Sequence, residues 1–288
     1  MENEILVIGG TGMLGSQVVN ELKENNANCV VLTRTTEKAE TLQASGVSIA
    51  MGTLDEIATI DTALQGIDTL YLLTSPAFNM LDLHKAAIDS AVKNGVKKIV
   101  RASGEPANYA DGLFMYEQHK LADEYLKNCG LDYVIIRPHT FIQSLMFMHA
   151  EYIKTQNSFA QYLGDAKIPF IDVRDIAKVA LIALTTEQLN NQVITLTGPE
   201  AISFGDIAEI MSETLGRPIH YHSLSYEEQK AGFKSFGLPD WQVESILKVF
   251  KVWVDRGESM PTDGFENVTG LKATSVRSFI KDHISVFQ

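Results

Sequence analysis

A short apolar run, Ile5-Leu6-Val7-Ile8, passes directly into Gly9-Gly10-Thr11-Gly12-Met13-Leu14-Gly15 and then into helix-favouring residues. Strand, glycine turn and helix in that order leave few folds open. Closely spaced glycines let backbone N–H groups approach a pyrophosphate, whose charge the positive end of the following helix stabilises. Glycine also serves tight turns for steric reasons alone, so context decides. Here the motif follows the first strand. Both spacings, Gly10/Gly12/Gly15 and Gly9/Gly12/Gly15, are satisfied, and a second apolar strand, Cys29-Val30-Val31-Leu32, comes one helix later. The segment reads as a dinucleotide site, with Gly9, Thr11, Gly12, Met13, Leu14 and Gly15 as its cofactor contacts.

Further apolar runs at Val47–Met51, Thr69–Leu73, Lys98–Ala102 and Tyr133–Ile136 alternate with helical segments. They lack in-out alternation, as strands buried on both faces do, and parallel pairing needs helical crossovers. The fold class is therefore α/β, a doubly wound parallel sheet. After Arg137-Pro138 the rhythm breaks into a Met/Phe-rich stretch, Phe141 to Met148, and a polar segment. Then come Ile168-Pro169-Phe170-Ile171, a helix opened by Asp172 or Asp175, a strand at Val193–Leu196, and a helix from Ser203 to Leu215 with Ser203 as N-cap. Apolar spacing over Phe233 to Val254 predicts another helix. The expected division is a nucleotide-binding domain over 1–138, with 168–197 adding to its sheet, and a smaller, mainly helical substrate lobe over 139–167 and 198–288.

The net charge of −12 and the absence of any Lys/Arg cluster beyond Lys97-Lys98 argue against direct nucleic-acid binding. No run approaches the ~20 apolar residues of a membrane span, and the first strand begins without a basic leader, so the expectation is a cytoplasmic protein, monomer or homodimer. The two cysteines, Cys29 and Cys129, lack metal spacing and read as buried reduced thiols; His220-Tyr-His222 has no accompanying cysteine or carboxylate cluster, so no metal is expected.

The second strand ends in Leu32-Thr33-Arg34-Thr35, with Arg34 where an NAD-binding domain carries an acid for the adenosine ribose. A guanidinium there pairs with a 2′-phosphate, which favours NADP(H) over NAD(H). Thr74 and Ser75, after the fourth strand, are further expected cofactor contacts. On the helix before Tyr133–Ile136, residues Tyr116, His119, Lys120 and Asp123 fall at i, i+3, i+4 and i+7 and share one face. A lysine one turn from a tyrosine lowers its phenol pKa and can hold a ribose, leaving the phenol as proton donor to a carbonyl. Ser103, just past the fifth strand, is placed to bond the same oxygen. An exposed helix face with solvated side chains would show the same YxxxK pattern, so position after the fifth strand carries the reading.

Together with Ala63-Leu64-Gln65-Gly66-Ile67-Asp68, Gly95-Val96-Lys97-Lys98-Ile99-Val100, Gly130-Leu131-Asp132-Tyr133, Ile171-Asp172-Val173-Arg174-Asp175-Ile176-Ala177 and Leu196-Thr197-Gly198-Pro199-Glu200, these motifs resemble the NmrA-like branch of the atypical short-chain dehydrogenase/reductases over nearly the whole chain. The resemblance implies a Rossmann domain with a small C-terminal lobe. The branch holds type 2 quinone oxidoreductases, a triphenylmethane dye reductase and a nitrogen regulator, so it implies fold and cofactor better than activity. Many members lack the tyrosine and place His or Lys where this chain has His119. Both registers are filled here, leaving Tyr116 and His119 as alternative proton donors. A second departure is Thr53 after Gly52, where relatives often carry aspartate.

His139, Phe141 and Met146 are the expected substrate contacts, their thioether and ring groups suiting flat apolar molecules. The expected activity is NADPH-dependent reduction of a small apolar carbonyl, quinone or related conjugated acceptor. The alternatives are a non-catalytic NADP(H)-sensing regulator and a nucleotide-sugar epimerase or dehydratase. The last lacks the basic clamp a diphosphate needs.

Overall fold

The computed structural model describes residues 4–288. In chain order the elements of the nucleotide-binding half are β1 (Ile5–Ile8), α1 (Met13–Glu24), β2 (Cys29–Thr33), α2 (Thr36–Ala44), β3 (Ser48–Met51), α3 (Ile57–Ala63), β4 (Thr69–Leu72), α4 (Met80–Lys93), β5 (Lys98–Ala102), α5 (Phe114–Lys127) and β6 (Asp132–Pro138). They are followed by α6 (Ala150–Gln156), β7 (Ser158–Gln161), α7 (Val173–Thr185), β8 (Gln192–Leu196), α8 (Phe204–Leu215), β9 (His220–Ser223), α9 (Tyr226–Ser235) and α10 (Asp240–Arg256). Three short helices, α11 (Gly264–Thr269), α12 (Val276–Asp282) and α13 (Ile284–Phe287), complete the chain. Two compact units result, Met1–Pro138 with Val173–Thr195 and His139–Asp172 with Leu196–Gln288.

The first unit is built on a seven-stranded sheet of order β3-β2-β1-β4-β5-β6-β8, parallel from β3 through β6. Both faces are covered, which is why the central strands read as mainly apolar runs without in-out alternation, with Lys98 and Arg101 of β5 as exceptions. Leu6, Ile8, Leu70, Leu72, Ile99 and Ile135 pack against Ile60, Leu64, Ala87, Ile88, Ala91 and Leu126 of the α3–α5 side. On the opposite face α1 lies against α7, which covers β4, β5 and β6. Each buried leucine, isoleucine or valine contributes roughly 1.5–3 kcal/mol, so this face-to-face burial dominates the stability of the unit. Strand order reverses between β1 and β4, and the crevice outside their carboxyl ends is where an open α/β sheet binds ligands.

The second unit joins helices to a two-stranded parallel sheet of β7 and β9, which the sequence pattern did not show. The rings of His149, Phe159, Phe170, Phe204 and Tyr221 form one aromatic cluster, with neighbouring centroids 5.4–5.9 Å apart. Ser203 caps α8 as expected: its Oγ accepts from the Asp206 N–H, and the Asp206 carboxylate accepts from the Ser203 N–H. Residues 168–172 belong to this unit rather than to the large sheet, because Ile168 pairs with Ile202 and Ile171 with Phe141. The helix expected over 233–254 is two helices. Gly237 takes φ +78° and Pro239 precedes α10, and together they end one helix and start the next.

Candidate functional site

The glycine turn is built for a close approach. A Cβ on Gly9 would lie 2.4 Å from the Leu73 carbonyl oxygen, and one on Gly15 only 2.0 Å from the Gly9 carbonyl oxygen. Gly9 also takes φ +84°, which side chains disfavour. Gly12 differs. Its Cβ would meet nothing nearer than the Gly9 carbonyl at 3.4 Å, so the fold itself does not require glycine there. Gly12 stands at the N-cap of α1, where no side chain caps the first turn and no acid occupies it. The space a Cβ would enter at Gly12 therefore faces the free, positive end of the helix, which fits a pyrophosphate. Leu14 is buried and Met13 exposed, so both would contribute through their backbone N–H groups.

Arg34 follows β2, is exposed, and makes no hydrogen bond or ion pair to the described residues. Beside it, Thr53 N–H donates to Thr59 Oγ1 at 3.1 Å and Thr53 Oγ1 donates to Asp55 Oδ2 at 3.3 Å, so a carboxylate is present two residues beyond the Gly-Asp position of relatives. Thr74 and Ser75 lie past β4, on the crevice side of Leu73. Thr74 Oγ1 is 2.8 Å from His84 Nε2, and Ser75 is exposed.

Beneath this crevice β5, β6 and α5 enclose a charged cluster. Arg101, in the middle of a buried strand, is fully buried, as is Asp123 of α5. Asp123 accepts from Arg101 Nη1 at one oxygen and from Ser103 Oγ (2.9 Å), Arg137 Nε (2.9 Å) and Arg137 Nη2 (2.8 Å) at the other. Three of the four donors thus converge on one carboxylate oxygen and one on the other, which compensates the buried charge of Asp123. Arg137 Nη1 also donates to Asn108 Oδ1 at 2.5 Å. Arg101 reaches two histidines as well, donating from Nε to His84 Nδ1 at 2.8 Å and from Nη2 to His119 Nδ1 at 3.1 Å. Burial holds both imidazoles well below the ordinary 6.5, with Arg101 pushing in the same direction, so both are neutral.

The predicted face of α5 is only partly one face in the structure. Tyr116, His119 and Asp123 turn inward, and the Tyr116 and His119 rings stack at 5.8 Å. Lys120 is exposed and pairs with Asp111 at 3.3 Å. The expectation that lysine lowers the Tyr116 phenol is not met: burial raises it, and the nearby Glu105 carboxylate raises it further. Ser103 also departs from its expected role, since its only proton is given to Asp123 inside the cluster and none remains for an acceptor oxygen.

In the second unit His139 is buried, stacked on Trp253 at 5.0 Å, with Nδ1 accepting from the Thr140 N–H at 2.8 Å. It is a core group of that unit, not an open pocket wall. Phe141 and Met146 are half-buried. The sequence reading missed Arg101, His84 and Asn108 and took Arg137 only as part of a motif. A signal existed for Arg101. An arginine inside Ile99-Val100-Arg101-Ala102 has to find a buried counter-charge.

The family pattern described as NmrA-like family matches residues 1–281. The chain belongs to that family. The NAD(P)H azoreductase of Xenophilus azovorans is 31% identical over 283 residues, covering 98% of this chain and 99% of the relative. Quinone oxidoreductase 2 of Escherichia coli is 26% identical over 239 residues, 82% of this chain and 83% of the relative. The crystal structure of Citrobacter sp. triphenylmethane reductase complexed with NADP(H) superposes with a TM-score of 0.85 at 20% identity, covering 97% of this chain and 99% of that one. This NmrA-like chain thus shares the fold of that reductase.

Proposed function

We propose that this protein is an NAD(P)H-dependent oxidoreductase that prefers NADPH and reduces a small apolar carbonyl, quinone or related conjugated acceptor. The observation that carries the reading is the glycine cradle, closed to side chains at Gly9 and Gly15 and open at Gly12, against the uncapped end of α1. The names of its relatives, an azoreductase and a quinone oxidoreductase, support it. The exposed Arg34 supports the preference for a 2′-phosphate.

When bound, the nicotinamide supplies a hydride, and the acceptor then needs a proton at the atom that gains negative charge. The chain's own groups bind and steer. Gly9 to Gly15 hold the pyrophosphate, Arg34 the 2′-phosphate, and Thr74 and Ser75 line the crevice. Lys120 holds the ribose: its ion pair with the exposed Asp111 is a surface pair worth under about 1 kcal/mol, readily exchanged for a ribose hydroxyl. The Tyr116 phenol is fully protonated at neutral pH and makes no hydrogen bond to the described residues, which suits it to deliver the proton. Neutral His119 assists by hydrogen bonding rather than by proton loss.

The test is NADPH oxidation with quinones, aldehydes, azo dyes and triphenylmethane dyes, for wild type and Tyr116→Phe, with NADPH affinity measured for both. Turnover in the wild type that collapses in the variant while NADPH still binds is the expected result. NADPH binding with no oxidation by any acceptor would instead assign a cofactor sensor.

A further inference from the structure

The buried cluster contains more than an ion pair. A guanidinium has only donors, so each imidazole nitrogen facing Arg101 must be an unprotonated acceptor. His84 and His119 both meet Arg101 through Nδ1, at 2.8 Å and 3.1 Å. A neutral imidazole has one proton, which in both rings then sits on Nε2. His84 Nε2 lies 2.8 Å from Thr74 Oγ1, so the ring donates and the threonine oxygen accepts. The Thr74 hydroxyl proton is thereby excluded from that bond and is left for another partner. His119 Nε2 carries a proton and makes no hydrogen bond to the described residues.

We infer that Arg101 is a positioning residue: held by Asp123 beneath the crevice, it fixes His84 and His119 as Nε2–H tautomers and so presents two neutral donors, Thr74 Oγ–H and His119 Nε2–H. Thr74, past the carboxyl end of β4 at the strand-order reversal, donates to an oxygen of the bound dinucleotide. His119 donates to the acceptor atom that gains negative charge. Their use depends on the oxidoreductase reading above; the tautomers themselves do not. Asp123 explains why Arg101 can serve both rings. With one N–H on the carboxylate, the guanidinium is locked in plane and its remaining edges point at His84 and His119. A lysine has a single nitrogen and cannot hold three partners in that geometry.

The first experiment is long-range proton–nitrogen NMR of the ¹⁵N-histidine-labelled full chain without cofactor, with His84 and His119 assigned from His84→Gln and His119→Gln. Both rings should show a pyridine-type Nδ1 and a pyrrole-type Nε2 at neutral pH. An Nδ1–H or doubly protonated ring at either position overturns the inference. In Arg101→Lys at least one ring should shift to a tautomer mixture. Should that variant fail to fold, the wild-type spectrum still decides. Thr74→Val should weaken NADPH binding roughly tenfold or more. His119→Asn should lose roughly a hundredfold in kcat at similar KM for NADPH, and His119→Gln, which keeps an N–H near the Nε2 position, should lose clearly less. Equal losses in the two His119 variants, or unchanged NADPH affinity in Thr74→Val, would refute the donor roles. Correct tautomers without reduction of any acceptor would sink the oxidoreductase reading and leave the Arg101 assignment standing.

Discussion

Lowering the pH from 7.5 to 5.0 should destabilise the second unit by about 4 kcal/mol, through His139 and His149. Burial depresses His139 to about 3 and His149 to about 4, from an ordinary 6.5. The sign follows from proton counts. Between the folded and unfolded pKa values the unfolded chain binds a proton that the folded chain does not, so stability is complete above pH 6.5 and is lost as pH falls towards the folded values. At pH 5.0 an unfolded histidine is almost fully protonated while either buried ring is at least nine-tenths neutral, which costs about 2 kcal/mol per ring. Most carboxylates remain ionised over this interval, so histidine protonation dominates the change. Both tryptophans, Trp241 and Trp253, lie in the second unit, and Trp253 stacks on His139. Urea unfolding followed by tryptophan fluorescence therefore reports the relevant transition. His149→Leu, within the ring cluster of Phe159 and Phe204, should remove about 2 kcal/mol of the pH difference. An equal midpoint at both pH values, or a pH difference unaltered in His149→Leu, would refute the reasoning.

Gly15→Ala drives a Cβ to 2.0 Å from backbone, so it should lower the thermal midpoint and abolish NADPH binding. Gly12→Ala meets only a 3.4 Å contact, so it should fold normally yet bind NADPH more than about tenfold more weakly, as titration of cofactor fluorescence would show. Arg34→Ala should cost NADPH about 1.5–3 kcal/mol in kcat/KM and leave NADH nearly unchanged, removing the preference between them. Asp123→Ala strands two guanidiniums without their shared carboxylate and should destabilise the first unit by about 3–5 kcal/mol in unfolding followed by circular dichroism.

The sheet was legible in the sequence because strands covered on both faces leave uninterrupted apolar runs, and β1, β5 and the Ser203 cap fall at the residues the pattern indicated. The β7/β9 pair was not legible. His220-Tyr221-His222-Ser223 has no apolar run, and its pairing with Ser158–Gln161 joins segments far apart in sequence. The break between α9 and α10 was written in Gly237 and Pro239, but apolar spacing on either side continued the helical period across it. In the site, the glycine turn and the shared side of Tyr116, His119 and Asp123 on α5 could be read from spacing, whereas Lys120 lies exposed. The partners could not be read that way. Whether the Ser103 proton goes to an acceptor or to Asp123, and whether Lys120 faces Tyr116 or Asp111, depends on three-dimensional approaches of a few ångströms.

The charge of the cluster bears on why neutral donors suit this place. Arg101 and Arg137 bring two positive charges to one carboxylate, so the surroundings of His119 carry a surplus positive charge. A protonated imidazole there would meet repulsion from both guanidiniums in addition to the cost of burial, as its lowered pKa reflects. The same surplus favours negative charge at the atom His119 Nε2–H would bond. A neutral imidazole with a fixed proton can stabilise that charge without exchanging protons with solvent, as a preorganised dipole does. On the proposed reading the ionisable step is left to the phenol of Tyr116, packed against Gly104, where a Cβ would lie 2.8 Å from the ring. Burial and Glu105 keep that phenol protonated until a stronger base, such as the oxyanion of a reduced acceptor, is in contact with it. On the roles proposed above, hydrogen bonding and proton delivery fall to two adjacent stacked rings, and the burial and the Arg101 guanidinium that together keep His119 neutral also leave its one proton on Nε2.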